Sequence, residues 1–253
     1  MDTKGKIAIV TGGAVRLGRA MALALAERGA HVVVHYNASA GPAQQVVEQI
    51  AALGVQSLAV QADLSKPRLA STVVERTVAH FGRADILVNS AAIFEPGNWD
   101  DTDEENWDRH FDINLKSPFF LTQAFASKIL TDQVRTAPRA HVVNIIDWTA
   151  VYPGVDHLAY TLTKAGLWAL TQSLAQALAP NIQVNAIAPG MILPPPGKGP
   201  DYLTENAPKI PLKRPGSAEE IVKALLYLLD ADFVTGQMIY VTGGRHLLKG
   251  YKE

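Results

Sequence analysis

Short β-branched runs alternate with amphipathic helical stretches along this chain, and that alternation constrains its fold more than any other feature. Residues 7–10, 31–35, 57–60, 86–88, 141–146, 183–188 and 238–241 read as strands. Apolar residues at helical spacing predict helices over 17–28, 42–53, 67–81, 107–130, 156–178 and 218–229. Strands separated by helices imply a parallel sheet of about seven strands with helices on both faces, an α/β doubly wound fold. No internal repeat or domain boundary interrupts the pattern, so residues 1–253 read as one domain. Sheets of this kind bind ligands outside the carboxyl ends of their strands.

At the first strand–helix junction stands Thr11-Gly12-Gly13-Ala14-Val15-Arg16-Leu17-Gly18. Gly12 and Gly18 permit a tight turn and close helix–strand packing, which leaves a helix N-terminus open to a pyrophosphate. Arg16 falls where such turns often carry glycine, and a guanidinium beside them favours anion contact. The second strand ends His35-Tyr36-Asn37-Ala38-Ser39, and no Asp or Glu occurs between Arg28 and Glu48. An acid there would hold the ribose hydroxyl of NAD. Its absence, with Asn37 and Ser39 as donors, selects NADP(H).

The other chemical signal is Tyr160 followed by Lys164 on a predicted helix, one turn apart on one face. A free phenol has a pKa of roughly 10. A neighbouring ammonium is expected to lower it and make Tyr160 a general acid. Asp147 lies thirteen residues earlier, at a strand end.

Composition excludes several classes. The chain has no cysteine, so disulfides and thiolate chemistry are absent, and no metal site is expected. A formal net charge of −1 gives no argument for nucleic acid or an anionic membrane. The N-terminus runs straight into a strand pattern, and the chain reads as cytosolic. Asp100-Asp101-Thr102-Asp103-Glu104-Glu105 reads as a helix start, with Thr102 and Glu105 forming a capping box. Residues 189–215 hold about half of the 15 prolines. They are expected to lack regular structure and to form a wall or lid over the site.

Together these motifs resemble the short-chain dehydrogenase/reductase family over nearly the whole chain. Asp63-Leu64 matches its adenine-contacting segment. Asn89-Ser90-Ala91-Ala92 matches the segment after the fourth strand, and Asn114 the helix asparagine of its proton relay. Tyr160 and Lys164 match the catalytic pair, and Pro189-Gly190 the segment beside the nicotinamide. Within the family, the chain is most similar to pteridine reductases and the related dihydromonapterin/dihydrofolate reductases. The likeness lies in Arg16, the His35-Tyr36-x-x-Ser39 segment, Asp147 where most relatives have serine, Phe94, and the ending Gly243-Gly244-Arg245-His246-Leu247.

That resemblance implies a mechanism. In ketone-reducing relatives the serine donates a hydrogen bond to the developing oxyanion, whereas an ionised Asp147 only accepts and would repel it. A ketone would require Asp147 to stay protonated through strong desolvation. A pterin, with ring N–H donors, basic nitrogens and a C=N bond, removes the conflict. It would stack on Phe94, with Arg16, Asp147 and Tyr160 around it and Asn114 holding a relay water. The alternatives are a carbonyl or 3-oxoacyl thioester reductase, and a nucleotide-binding sensor or scaffold without catalysis. The Tyr160 helix is apolar on more than one face, and family likeness implies a homotetramer, with a dimer as fallback. Arg245 and His246 are expected to be exposed tail residues, with approach to an active site across an interface as the alternative.

Overall fold

The computed structural model describes residues 1–130, 140–195, 197–199 and 201–248. Seven parallel strands form one sheet: β1 (Ile7–Val10), β2 (His31–Tyr36), β3 (Ser57–Gln61), β4 (Ile86–Asn89), β5 (Ala140–Ile145), β6 (Ile182–Pro189) and β7 (Met238–Val241). Their spatial order is β3-β2-β1-β4-β5-β6-β7, so the order reverses beside β1. This is the α/β architecture that the sequence predicts. A reversal opens a crevice between the first strand–helix turn and the turn after β4.

The helices are α1 (Arg16–Glu27), α2 (Ala40–Ala52), α3 (Ser71–Phe81), α4 (Glu104–Phe111), α5 (Ser117–Ile129), α6 (Leu158–Leu178), α7 (Asp201–Asn206) and α8 (Ala218–Asp230). Strand residues alternate between two cores. Ala8 and Val10 pack with Met21, Leu25, Ile50, Leu225 and Leu228 from α1, α2 and α8. Ile9 packs on the opposite face with Val73, Val74, Leu121 and Phe125 from α3 and α5. With both faces covered, all eight residues of β6 are buried.

Three local expectations are corrected. The helix predicted over 107–130 is two α-helices joined by a π-helical segment, Asp112–Lys116, which accommodates Asn114. Its N-cap is Asp103, whose carboxylate accepts from Asn106 N at 2.7 Å, whereas Thr102 Oγ1 donates to Asn98 O. The reciprocal capping box belongs instead to Ser217 and Glu220 on α8. Finally, the proline-rich stretch does contain regular structure. Its proline-free stretch forms α7, and Pro208 sits in the first turn of the 3₁₀ helix Ala207–Lys209, where a missing N–H costs nothing. Positions 196 and 200 lie outside the described residues.

Candidate active site

One cleft of about 770 Å³ runs across the carboxyl ends of the strands, from the glycine-rich turn to the start of α6. At its first end the backbone approaches very closely. A Cβ on Gly18 would lie 2.1 Å from Gly12 O, and one on Gly12 would lie 3.1 Å from Ala91 Cα. Arg16 is held at φ 51°, the left-handed region that glycine fills in similar turns, at a cost of about 1 kcal/mol. Its guanidinium donates to Pro194 O at 2.8 Å and so ties this turn to the loop after β6. No acidic residue occupies the first turn of α1, so its free N–H groups face the cleft without a competing carboxylate.

His35 braces the turn from below. Its Nδ1 accepts from Gly12 N at 3.1 Å and its Nε2 donates to Ala62 O at 3.0 Å, which fixes the tautomer. Burial lowers its pKa, so the acceptor role survives below the usual histidine range. Thr11 Oγ1 accepts from Ser90 N and Ala91 N, clamping the ends of β1 and β4 together. These contacts form a rigid cradle that fits a dinucleotide pyrophosphate. Leu17, Asn37 and Leu64 continue the wall, and Pro189 and Gly190 close the far side.

The second end gathers the proton-handling groups. Asp147 caps the 3₁₀ turn Trp148–Ala150: its Oδ1 accepts from Thr149 N at 2.8 Å and Thr149 Oγ1 at 2.7 Å. Its Oδ2 accepts from Tyr160 Oη at 3.1 Å. Lys164 Nζ donates to Ile145 O at 2.9 Å and lies 5.6 Å from the Tyr160 ring centre. Burial raises the Asp147 carboxyl above its ordinary range, although Thr149 and Lys164 pull the other way. The tyrosine departs from expectation. Burial, then the Asp147 charge and hydrogen bond, hold Tyr160 well above 10 rather than below it, because the lysine points at a backbone carbonyl instead of the phenol.

Lys164 is itself lowered to about 8 by burial, against the opposing pull of Asp147. Its cation is therefore present below that pH and lost above it. We expect kcat/KM for reduction to fall as pH rises through about 8. Lys164→Arg should move that limb above the working range, because a guanidinium stays charged. A profile for the unaltered enzyme that stays flat to about pH 10, where an unperturbed lysine first titrates, would contradict this assignment.

Other expected site residues do not line the cleft. Asn89 is buried, donating to Asn144 Oδ1 at 2.8 Å, and Asn144 donates to Thr171 Oγ1 at 2.9 Å. Asn114 accepts from Ile93 N and donates to Ile93 O and to Thr163 Oγ1, so its amide joins the loop after β4 to α6 instead of facing Lys164. Asp63 is turned onto Ser65, Tyr36 packs against the core, and Ser39 starts α2. Phe94 does reach the cleft. His157 covers one of its faces, with ring centres 4.0 Å apart and planes within 6°, so at most one face is available for stacking. Sequence reasoning missed His157 and Thr149. A threonine two residues after a strand-end Asp signals a side-chain turn, whereas His157 carries no comparable signal. The loop after β6 contributes Met191, Leu193, Pro195 and Tyr202 to the wall, as a lid would.

A dinucleotide cradle and a proton-handling trio at the two ends of one cleft define an NAD(P)-dependent oxidoreductase. Residues 13–246 match the family model described as enoyl-(acyl carrier protein) reductase, and the chain belongs to the short-chain dehydrogenase/reductase family. It is 35% identical over 247 residues to the 3-oxoacyl-[acyl-carrier-protein] reductase FabG of Staphylococcus epidermidis, covering 96% of this chain and 99% of that protein. It is also similar to the crystal structure of FolM alternative dihydrofolate reductase 1 from Brucella canis complexed with NADP, at 35% identity and a TM-score of 0.90. That match covers 97% of this chain and 96% of the other. A blue fluorescent protein from a metagenomic library, solved with NADPH, superposes at a TM-score of 0.87 and 28% identity, covering 97% of this chain and 99% of that one. No helix of the described residues is long and apolar enough to cross a membrane, and no group of metal-ligating side chains occurs among them.

Proposed function

We propose that this chain is an NADPH-dependent reductase of pteridine-type substrates, acting on the C=N bond of a dihydropterin or dihydrofolate. The observation that carries the reading is the Asp147 carboxylate, half-buried in the cleft and bonded to Tyr160 at 3.1 Å. Burial holds this carboxyl above its ordinary range, so it keeps a proton to higher pH and can pass it to a ring nitrogen, and when ionised it accepts from ring N–H groups. The residues from Gly12 to Gly18 would hold the pyrophosphate, Asn37 the adenosine ribose, and Pro189 with Gly190 the nicotinamide end. When bound, the cofactor supplies the hydride.

The protein supplies position and protons. Asp147 Oδ2, which accepts from the Tyr160 hydroxyl while ionised, takes up a proton from solvent and delivers it to the nitrogen beside the reduced carbon. Lys164 keeps a positive charge beneath this pair. The preference for NADPH rests on the absence of an acid after β2, and the relatives solved with NADP or NADPH agree with it.

The burial of Asp147 also favours a second reading. A protonated Asp147 is a hydrogen-bond donor, as a carbonyl reductase needs, and the FabG relative is described as a 3-oxoacyl reductase. Steady-state NADPH oxidation with dihydrobiopterin, dihydrofolate and an acetoacetyl thioester separates the two. Turnover of a pterin but not of the thioester is expected, whereas turnover of the thioester alone would replace the pterin reading with the second. For assembly, we propose a homotetramer built partly on the apolar hollow of Leu115 from the π-helical segment, Phe119 and Phe120 from α5, and Ala169 and Leu170 from α6. A solution mass of four chains by light scattering is the expected result, and a monomer would exclude it.

A further inference from the structure

We infer that Thr149 is a positioning residue that makes Asp147 carry its proton on the oxygen facing Tyr160. The inference rests on the pteridine reading and deepens it, from the group that supplies the proton to the atom that holds it. The chain leaves β5 through Ile146, whose N donates to Ile187 O at 2.9 Å, and then turns. Asp147 is extended, at φ −153° and ψ 152°, and caps the single 3₁₀ turn Trp148–Ala150. Two backbone bonds close that turn: Ala150 N donates to Asp147 O and Tyr152 N to Thr149 O, both at 3.0 Å. The backbone that presents Asp147 therefore also fixes Thr149, whose branched side chain has few rotamers to choose from.

The two carboxylate oxygens have different partners. Oδ1 accepts twice from one residue, from Thr149 N at 2.8 Å and Thr149 Oγ1 at 2.7 Å. Oδ2 accepts once, from Tyr160 Oη at 3.1 Å. A carboxylate oxygen has about two acceptor positions, so Thr149 fills Oδ1 and leaves room on Oδ2. A proton on Oδ1 would face the Thr149 N–H, which cannot turn round to accept it, and a donor left unpaired in a half-buried site is costly. A proton on Oδ2 leaves both Thr149 bonds in place, and the Tyr160 hydroxyl rotates to accept as readily as to donate. The charged groups nearby do not make that choice. Lys164 donates to Ile145 O and His157 stacks on Phe94. Arg245 lies over the Trp148 ring at 5.4 Å, on a tail that Leu212 N ties down through Gly243 O at 3.1 Å. Their charges bear on the carboxylate as a whole, whereas hydrogen bonds tell its oxygens apart. Both Thr149 bonds also favour the ionised form, against the burial that raises this carboxyl.

Thr149→Val keeps the branched shape and the backbone N–H and removes only the hydroxyl, whereas Thr149→Ser retains it. Both should be compared with the unaltered enzyme in kcat and KM for dihydrobiopterin. The protonated Asp147 carboxyl should be followed across pH by its infrared carbonyl stretch, assigned by its loss in Asp147→Asn. With the proton on Oδ2, Oδ1 is the carbonyl oxygen, and losing one of its two donors in Thr149→Val should raise the stretching frequency. The midpoint of the band should move to higher pH, because the ionised form has lost a donor. We expect kcat to fall about tenfold and KM to change less than about threefold, the effect of one hydrogen bond to a charged group. Thr149→Ser should restore the frequency, the midpoint and kcat. An unchanged frequency and midpoint in Thr149→Val would overturn the assignment, and so would a change confined to KM, the mark of a substrate contact. If the unaltered enzyme leaves dihydrobiopterin unreduced, the pteridine reading fails. The infrared band then decides the place of the proton by itself, upheld if it moves in Thr149→Val and overturned if it does not.

Discussion

Asp147→Ser is expected to lower kcat/KM for a dihydropterin at least about a hundredfold, or about 2.7 kcal/mol of transition-state stabilisation. In the unaltered enzyme one carboxylate oxygen is fixed by Thr149 N and Oγ1 and the other receives the Tyr160 hydroxyl. Serine retains a hydroxyl that can donate to a carbonyl oxygen, but it has no carboxyl to exchange a proton with a ring nitrogen. The same substitution should therefore preserve or improve reduction of an acetoacetyl thioester. Faster pterin turnover in Asp147→Ser would show that the carboxylate opposes the reaction. Tyr160 offers a linked check. Burial and the Asp147 charge hold its phenol well above 10, and removing that charge should make it easier to ionise, visible as a phenolate absorbance appearing at lower pH.

Gly18→Ala should have a comparable effect at the other end of the cleft. The added methyl would sit 2.1 Å from the Gly12 carbonyl oxygen and 2.7 Å from its carbon. Both are backbone atoms and cannot rotate aside, so the turn must open. Opening it displaces the first-turn N–H groups of α1 from the pyrophosphate position. A displacement of about 1 Å in such a site costs on the order of a hundredfold, and we expect NADPH affinity to fall by at least that much. Overpacking should also remove about 1–3 kcal/mol of stability, a drop in Tm of roughly 2–12 °C in a chain of this size. Calorimetric titration with NADPH and a thermal melt read the two effects separately. Affinity within about threefold of the unaltered protein would mean that the turn is more pliant than its backbone contacts imply.

These sites were legible in the sequence to different depths, for physical reasons. A continuous apolar run marks a strand, so the fully buried β1 and the half-buried β7 both stand where the sequence places them. Glycines at a strand–helix junction and a tyrosine–lysine pair at helical spacing are signals local to a few residues. What long-range packing decides was not visible. Asn89 reads as a cofactor contact until its distance to Asn144, 55 positions along the chain, is known. The acidity of Tyr160 depends on where Lys164 points, which no spacing rule states. The tail reads as exposed because its anchors, Pro211 and Leu212, lie some thirty residues earlier. The π-helical segment at Asp112–Lys116 adds a residue within a pattern that otherwise continues at normal helical spacing.

The buried chain from Asn89 through Asn144 to Thr171 has a mechanical consequence. It runs from β4 through β5 to α6, and Thr171 shares its helix face with Leu167, Lys164 and Tyr160. Successive helix residues are 100° apart, so the Thr171 hydroxyl acts as a clocking pin for the whole cylinder. A helix held only by leucines can roll by tens of degrees as its side chains repack, because apolar contacts have no preferred direction. A directional amide–hydroxyl bond three turns below the reactive phenol removes that freedom. The aim of Tyr160 is thus set from deep inside the protein, out of reach of whatever enters and leaves the cleft.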